Sequence, residues 1–304
     1  MTESSSLPDR ESPSSTLSAR LRELGAFLSA PSSGGLTEQQ RALSLGVARR
    51  LIVDAARRVD PAIDTGRLWD AWLANGIPGA ERIAALCFGR GEEHRWRDQS
   101  ARRAGRLPVK DAGTDAIADP AAMVNEIPTP LERAELALRI ADRRRFDARG
   151  NPAVAIADVD PDILSGLMLD IAAWRLLDGA EGAEDAAMAK ALGDAVRAAL
   201  ADQPREDGID AAGAALHSLL TSEGRVTDAA ADAIERHDWP TLAALAAAAH
   251  RRRHDAMMLA LLTAEAASLP ALLAPLRLDH AALAPLEASL AMLPARAVGG
   301  DGTP

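Results

Sequence analysis

His250 and His254 lie four residues apart, with Asp255 beside the second. In this 304-residue chain they form the pattern nearest to a metal or acid–base site. Two imidazoles one helical turn apart can share a zinc ion. The metalloprotease form needs Glu directly after the first His, and Arg251 stands there. Arg251, Arg252 and Arg253 would also repel a cation, so the plainer reading is a solvated basic turn. The same run, with Arg143, Arg144 and Arg145 and with His94-Arg95-Trp96-Arg97, offers a different chemistry. Guanidinium forks match phosphate and carboxylate oxygens. A tryptophan between two arginines can stack on a base or on a partner's side chain. Arg95, Trp96, Arg97, Arg251, Arg252 and Arg253 are therefore the candidate partner- or phosphate-binding residues. Against them stands the reading of Arg82 to Lys110 as an ordinary solvated helix face.

Other reactive side chains point to packing. His217 sits in ALHSLL, whose apolar neighbours suit a core-edge histidine better than a phospho-accepting one. Cys87, the only cysteine, lies among Ala84, Leu86 and Phe88 and reads as an inert buried thiol. It excludes a disulfide framework and a cysteine-based zinc site. Trp69, Trp72, Trp174 and Trp239 are spaced as core anchors, and of the four Trp239, beside His237 and Asp238, is the one nearest to partial exposure. There is no glycine-rich phosphate loop, serine-centred elbow or paired-carboxylate motif. No catalytic, metal or cofactor-binding residue is assigned.

The elements that position these residues read as helices. Hydrophobic residues make up 48% of the chain, much of it alanine, and aromatics only 3%, a balance that favours helix over sheet. Residues 1–16 are rich in Ser, Pro and acids and are expected to be a disordered tail, as are 295–304. Leu17 to Ser29 forms a first expected helix. Thr37 and Gln40 make a capping box for a helix reaching about Val59. Asp64 caps a short helix bearing Leu68, Trp69 and Trp72. A further helix starts near Ala80 and can continue through GEEHRWRDQSARR. The stretch 105–128 lacks helical period and reads as a linker or an irregular excursion. Thr129, Pro130 and Glu132 give the best helix start in the chain, with Leu131, Ala134, Leu138 and Ile140 as its apolar set. From Ile209 to Leu293, short apolar helices follow one another with connectors so brief that they must pack as antiparallel neighbours. Thr227 is the expected cap of one of them.

The expected organisation is thus a helical region over 17–104, the linker, and a helix-pair stack over 129–294. Net charge is −10, which argues against nucleic-acid binding by the whole chain. The charge is uneven: residues 1–150 carry 23 basic against 21 acidic residues, and residues 151–304 carry 11 against 23. No export signal or membrane-length apolar run is present, so a cytoplasmic location with no membrane partner is expected.

The segment Gly224-Arg225-Val226-Thr227, followed by Ala233-Ile234, Asp238 and the apolar Leu242–Ala249 run, resembles the C-terminal pattern of a bacterial family of unknown function built of HEAT-like helix pairs. The early helix LTEQQRALSLGVARRLIVDAARRV is similar to one near that family's N-terminus. Together these cover about a third of the chain. The resemblance implies stacked antiparallel helix pairs, a right-handed helical array, and a regulatory or scaffolding role without catalytic residues. The first expectation is accordingly an all-α, non-enzymatic regulator or scaffold that binds another protein. The alternatives are a nucleotide or phosphate-ligand sensor using the arginine-rich surface, and a helical enzyme or metal-binding protein using His250 and His254.

Overall fold

The computed structural model describes Leu24 and residues 36–103, 128–179, 185–203 and 208–293. The tails, nearly all of the 105–128 stretch and the first expected helix apart from Leu24 lie outside the described residues. Among the described residues the regular elements are all helices, with one isolated bridge between Phe146 and Pro152. No described helix is long and apolar enough to cross a membrane.

Helix starts follow the local chemistry. For α1 (Glu38–Val59), the Thr37 hydroxyl accepts from the Gln40 amide at 3.2 Å and the Gln40 side chain accepts from the Thr37 amide at 3.0 Å. Asp64 accepts from two amides at the start of α2 (Thr65–Asn75). Helix α3 (Ala80–Arg103) does run through the charged segment. Thr129 and Glu132 close a second capping box on α4 (Pro130–Arg143). Its buried face is Ala134, Leu138 and Ala141, while Ile140, expected inside, is 46% exposed. Asp160 accepts from the Asp162 amide at the start of α5 (Pro161–Gly179), and α6 (Asp185–Asp202) follows.

The C-terminal helices are α7 (Ile209–Ser222), α8 (Val226–Glu235), α9 (Trp239–His250), α10 (His254–Thr263), α11 (Leu269–Leu273) and α12 (His280–Ala291). Three-residue connectors join α7 through α10, and each contains a left-handed residue: Gly224, His237 and Arg251. In each the amide one residue further on reaches back to the preceding helix: Arg225 to Leu220, Asp238 to Ala233, Arg252 to Ala247. This closure satisfies orphan carbonyls and turns the chain sharply. His237 and Arg251 accept the steric penalty of that conformation, of the order of 1 kcal/mol, where glycine would not. Thr227 does not cap α8; its hydroxyl donates to the Leu276 carbonyl at 3.0 Å. Helix α9 is alanine-rich, so α7 approaches it closely. A Cβ on Gly213 would stand 3.0 Å from that of Ala244.

Packing redraws the expected division. One core joins α1, α2 and the first half of α3 to residues 154–199. The second joins Trp96, α4 and the helices from Ile209 to Leu293. Residues 154–199, expected within the 129–294 stack, thus pack against α1 instead. The reason is their apolar face: Leu164, Leu167, Met168 and Ile171 are buried against it. Helix α3 serves both cores, with Phe88 in one and Trp96 in the other.

Candidate functional site

The sequence candidates are largely consumed by the fold. Arg95 is buried and donates to both oxygens of Glu92, at 2.7 and 2.8 Å. Arg97 makes a fork to Asp142, also at 2.7 and 2.8 Å. Trp96 is fully buried, so it cannot stack on a base or a partner. It lies parallel to Trp239, ring centroids 4.6 Å apart. Its indole N–H donates to Ser289 at 2.8 Å, that of Trp239 donates to Ser100 at 2.8 Å, and the two hydroxyls are 3.2 Å apart. Trp239 is fully buried, as its reading as a core anchor has it. Within the stretch read as a solvated face, the part around Arg90 to Trp96 is internal, because acids on its own helix and on α4 neutralise its arginines, while Arg82, Arg102 and Arg103 are exposed.

Of the two arginine triplets, the third member of each turns inward. Arg143 and Arg144 are exposed and Arg145 is buried; Arg251 and Arg252 are exposed and Arg253 is half-buried. The histidine pair does not form. Arg251 breaks the helix, His250 closes α9 and His254 opens α10. The His250 ring nitrogen pairs with the Leu272 carbonyl at 2.8 Å. Among the described residues no group of three His, Cys, Asp or Glu side chains could hold a metal. Cys87 is buried, and burial pushes its thiol up to about 12. His217 is half-buried, and burial lowers its pKa.

What the fold assembles instead is a charged cavity of about 170 Å³ between the two cores. Helix α3 contributes Arg90 and Glu93, the loop after α4 contributes Arg145 and Asp158, and the starts of α7 and α10 contribute Asp210, Arg253, His254 and Asp255. Leu86, Val154, Met258 and Leu259 supply apolar wall. Arg145 forks onto Glu93 at 3.0 and 2.6 Å. Arg90 donates to the carbonyls of Ala153 at 3.0 Å and Arg145 at 2.6 Å, which fixes the 145–153 loop against α3. Arg50 of α1 holds the same loop through Pro152 at 2.7 Å.

Two carboxylates stand in for absent local caps. Neither Gly208 nor Arg253 caps its own helix through a side chain. Asp158 accepts from the Ile209 amide at 2.8 Å and so caps α7. Asp210, in the first turn of α7, accepts from the His254 amide at 2.6 Å and caps α10. An acid at a helix start satisfies an orphan amide and complements the helix dipole. The approach of Asp158 requires glycine at 208, where a Cβ would lie 2.5 Å from the carboxylate oxygen.

The electrostatics follow from burial. Burial alone would raise the Glu93 carboxyl, but Arg145 and Arg90 outweigh it and hold the group well below the usual carboxylate range. Burial raises Asp158 and Asp210, with Arg145 partly offsetting it at Asp158 and the His254 amide at Asp210. Burial, reinforced by Arg145, lowers His254 to about 3, so its ring is neutral. His254 is 1% exposed, and neither ring nitrogen has a hydrogen-bond partner. Asp158 Oδ2 and Arg90 Nη1 also lack hydrogen bonds, although each lies within ion-pair range of an opposite charge, Arg145 at 3.8 Å and Glu93 at 3.2 Å respectively.

Sequence reasoning missed Arg90, Glu93, Arg145, Asp158 and Asp210 as a set. One local signal was available: glycines 89 and 91 flank Arg90 inside a helix, where each costs about 1 kcal/mol relative to alanine and argues for close packing. Gly91 indeed faces Leu43 and Ser44 of α1. No family model, no curated protein and no solved structure matches the chain.

Proposed function

We propose that the chain is a small-molecule-binding protein, with its site in the cavity between the two cores. His254 carries the reading: a fully buried imidazole lines that cavity with both nitrogens unpaired. Buried polar groups in folded proteins are nearly always paired, and an exception asks for a reason. A largely apolar pocket with a few convergent polar groups is the usual form of a ligand site.

Neither His254 nor Glu93 suits general-base work. A general base works best with a pKa near the operating pH. His254, at about 3, is far too weak a base, and Glu93 is committed to Arg145 as an ionised partner. Of the candidate partner residues, Arg95, Trp96, Arg97 and Arg253 are engaged internally, while Arg251 and Arg252 are exposed.

A fragment screen on the full-length protein, read by NMR of the histidine rings, tests the proposal. Ligands are expected to move the His254 ring resonances, and His254→Leu is expected to abolish their binding while helix content stays unchanged. Hits that act elsewhere and persist in His254→Leu would overturn it.

A further inference from the structure

The chemistry of the cavity wall specifies the ligand more closely; this inference rests on the cavity reading above. Three residues of the wall carry buried side-chain atoms without a hydrogen bond. Asp158 Oδ2 is an acceptor, Arg90 Nη1 a donor, and the neutral His254 ring offers one of each. A complementary ligand end must therefore present both a donor and an acceptor.

Charge narrows the choice. The three guanidiniums of the wall face four carboxylates: Glu93 is shared by Arg145 and Arg90, the latter at 3.2 Å, Arg145 also stands 3.8 Å from Asp158, Arg253 pairs with Asp255, and Asp210 lines the site as well. An incoming anion would find no uncompensated cation and would face Asp158 and Asp210. An incoming cation would meet Arg90, Arg145 and Arg253. The wall carries its own witness to that cost, since His254 stays neutral despite the nearby Glu93 and Asp142. Loss of hydration is the largest part of that effect, and an ammonium group would suffer it equally. Beyond the polar end, Ala85, Leu86, Val154, Met258 and Leu259 favour a short apolar body.

We propose that the site takes a small uncharged molecule of the carboxamide class, with an N–H donor for Asp158 Oδ2 beside a carbonyl that accepts from His254 or Arg90.

Three compounds with one branched body test this directly: isovaleramide, isovalerate and isopentylamine, titrated into the full-length protein with His254 ring shifts and calorimetry as readouts. The amide is expected to bind at least about tenfold more tightly than either charged compound, the effect of one unpaired buried polar group. Asp158→Asn retains an oxygen for the Ile209 amide but turns the open acceptor into a donor. It is expected to weaken the amide about tenfold and to reverse its advantage over isovalerate. Tighter binding of isovalerate or isopentylamine by the unaltered protein, with His254 shifted, would overturn the carboxamide class and leave the cavity reading intact. No His254 shift with any of the three would also remove the class; the cavity reading falls only if the wider fragment screen fails as well.

Discussion

Helix α3 passes two buried polar clusters, and they are built on opposite terms. Around Trp96 and Trp239, two indole donors meet two serine hydroxyls and the set closes on itself. Around Arg90, Glu93 and Arg145, strong pairs form a frame, but Asp158 Oδ2 and the His254 ring are left open at a cavity. Both clusters are buried, so burial does not distinguish them. Closure does: a satisfied network rigidifies a core, whereas an unsatisfied one forgoes stability, and it is on that difference that the proposed ligand site rests.

The largest test of this contrast is Glu93→Ala, which removes the carboxylate that Arg90 and Arg145 share and leaves Arg145 only the longer contacts to Asp142 at 3.6 Å and Asp158 at 3.8 Å. Breaking such a pair destabilises by about 3–5 kcal/mol, expected as a lowered denaturant midpoint. The frame of the open cluster would then prove to be structural even though its inner face is not.

A second test uses acid. The folded pKa of His254 lies near 3, below the ordinary value of about 6.5. Between these values the unfolded chain binds a proton that the folded chain refuses, so stability falls as pH falls through that window. His254→Leu removes this term, and carboxylates common to both proteins cancel in the difference. Relative to wild type, the variant is expected to gain about 2 kcal/mol between pH 7 and pH 5. Parallel stability profiles for the two proteins would mean that the ring is not held neutral. The smallest expected effect belongs to the closed cluster: Trp96→Phe keeps the ring stack but removes one donor, and should cost about 1–2 kcal/mol in urea unfolding at any pH near neutrality. If Trp96→Phe were silent while His254→Leu was strongly destabilising, the assignment of roles would be inverted.

The parts of the fold legible in the sequence were those written within a few residues. The capping boxes at Thr37 and Thr129, the Asp64 cap and the short connectors at Gly224 and His237 depend on neighbours two to five positions away. The site was not legible because its bonds are long in sequence: Arg145 finds Glu93 across 52 residues, and Ile209 finds Asp158 across 51. Read locally, GRGEEHRWRDQ carries the charge of a solvent face. Only the placement of α1, α4 and α10 around it turns those charges inward. The histidine spacing misled for a related reason, since a left-handed Arg251 separates two residues that an unbroken helix would align.

The shared use of α3, with the return of residues 154–199 to the first core, has a consequence for how the molecule can be divided. The chain visits the two cores alternately, so no single cut puts each core whole on its own piece. A backbone nick between 104 and 127 would leave two fragments, each retaining part of both cores. Fragments produced there would be obligate complements of one another, and autonomy would belong only to the pair.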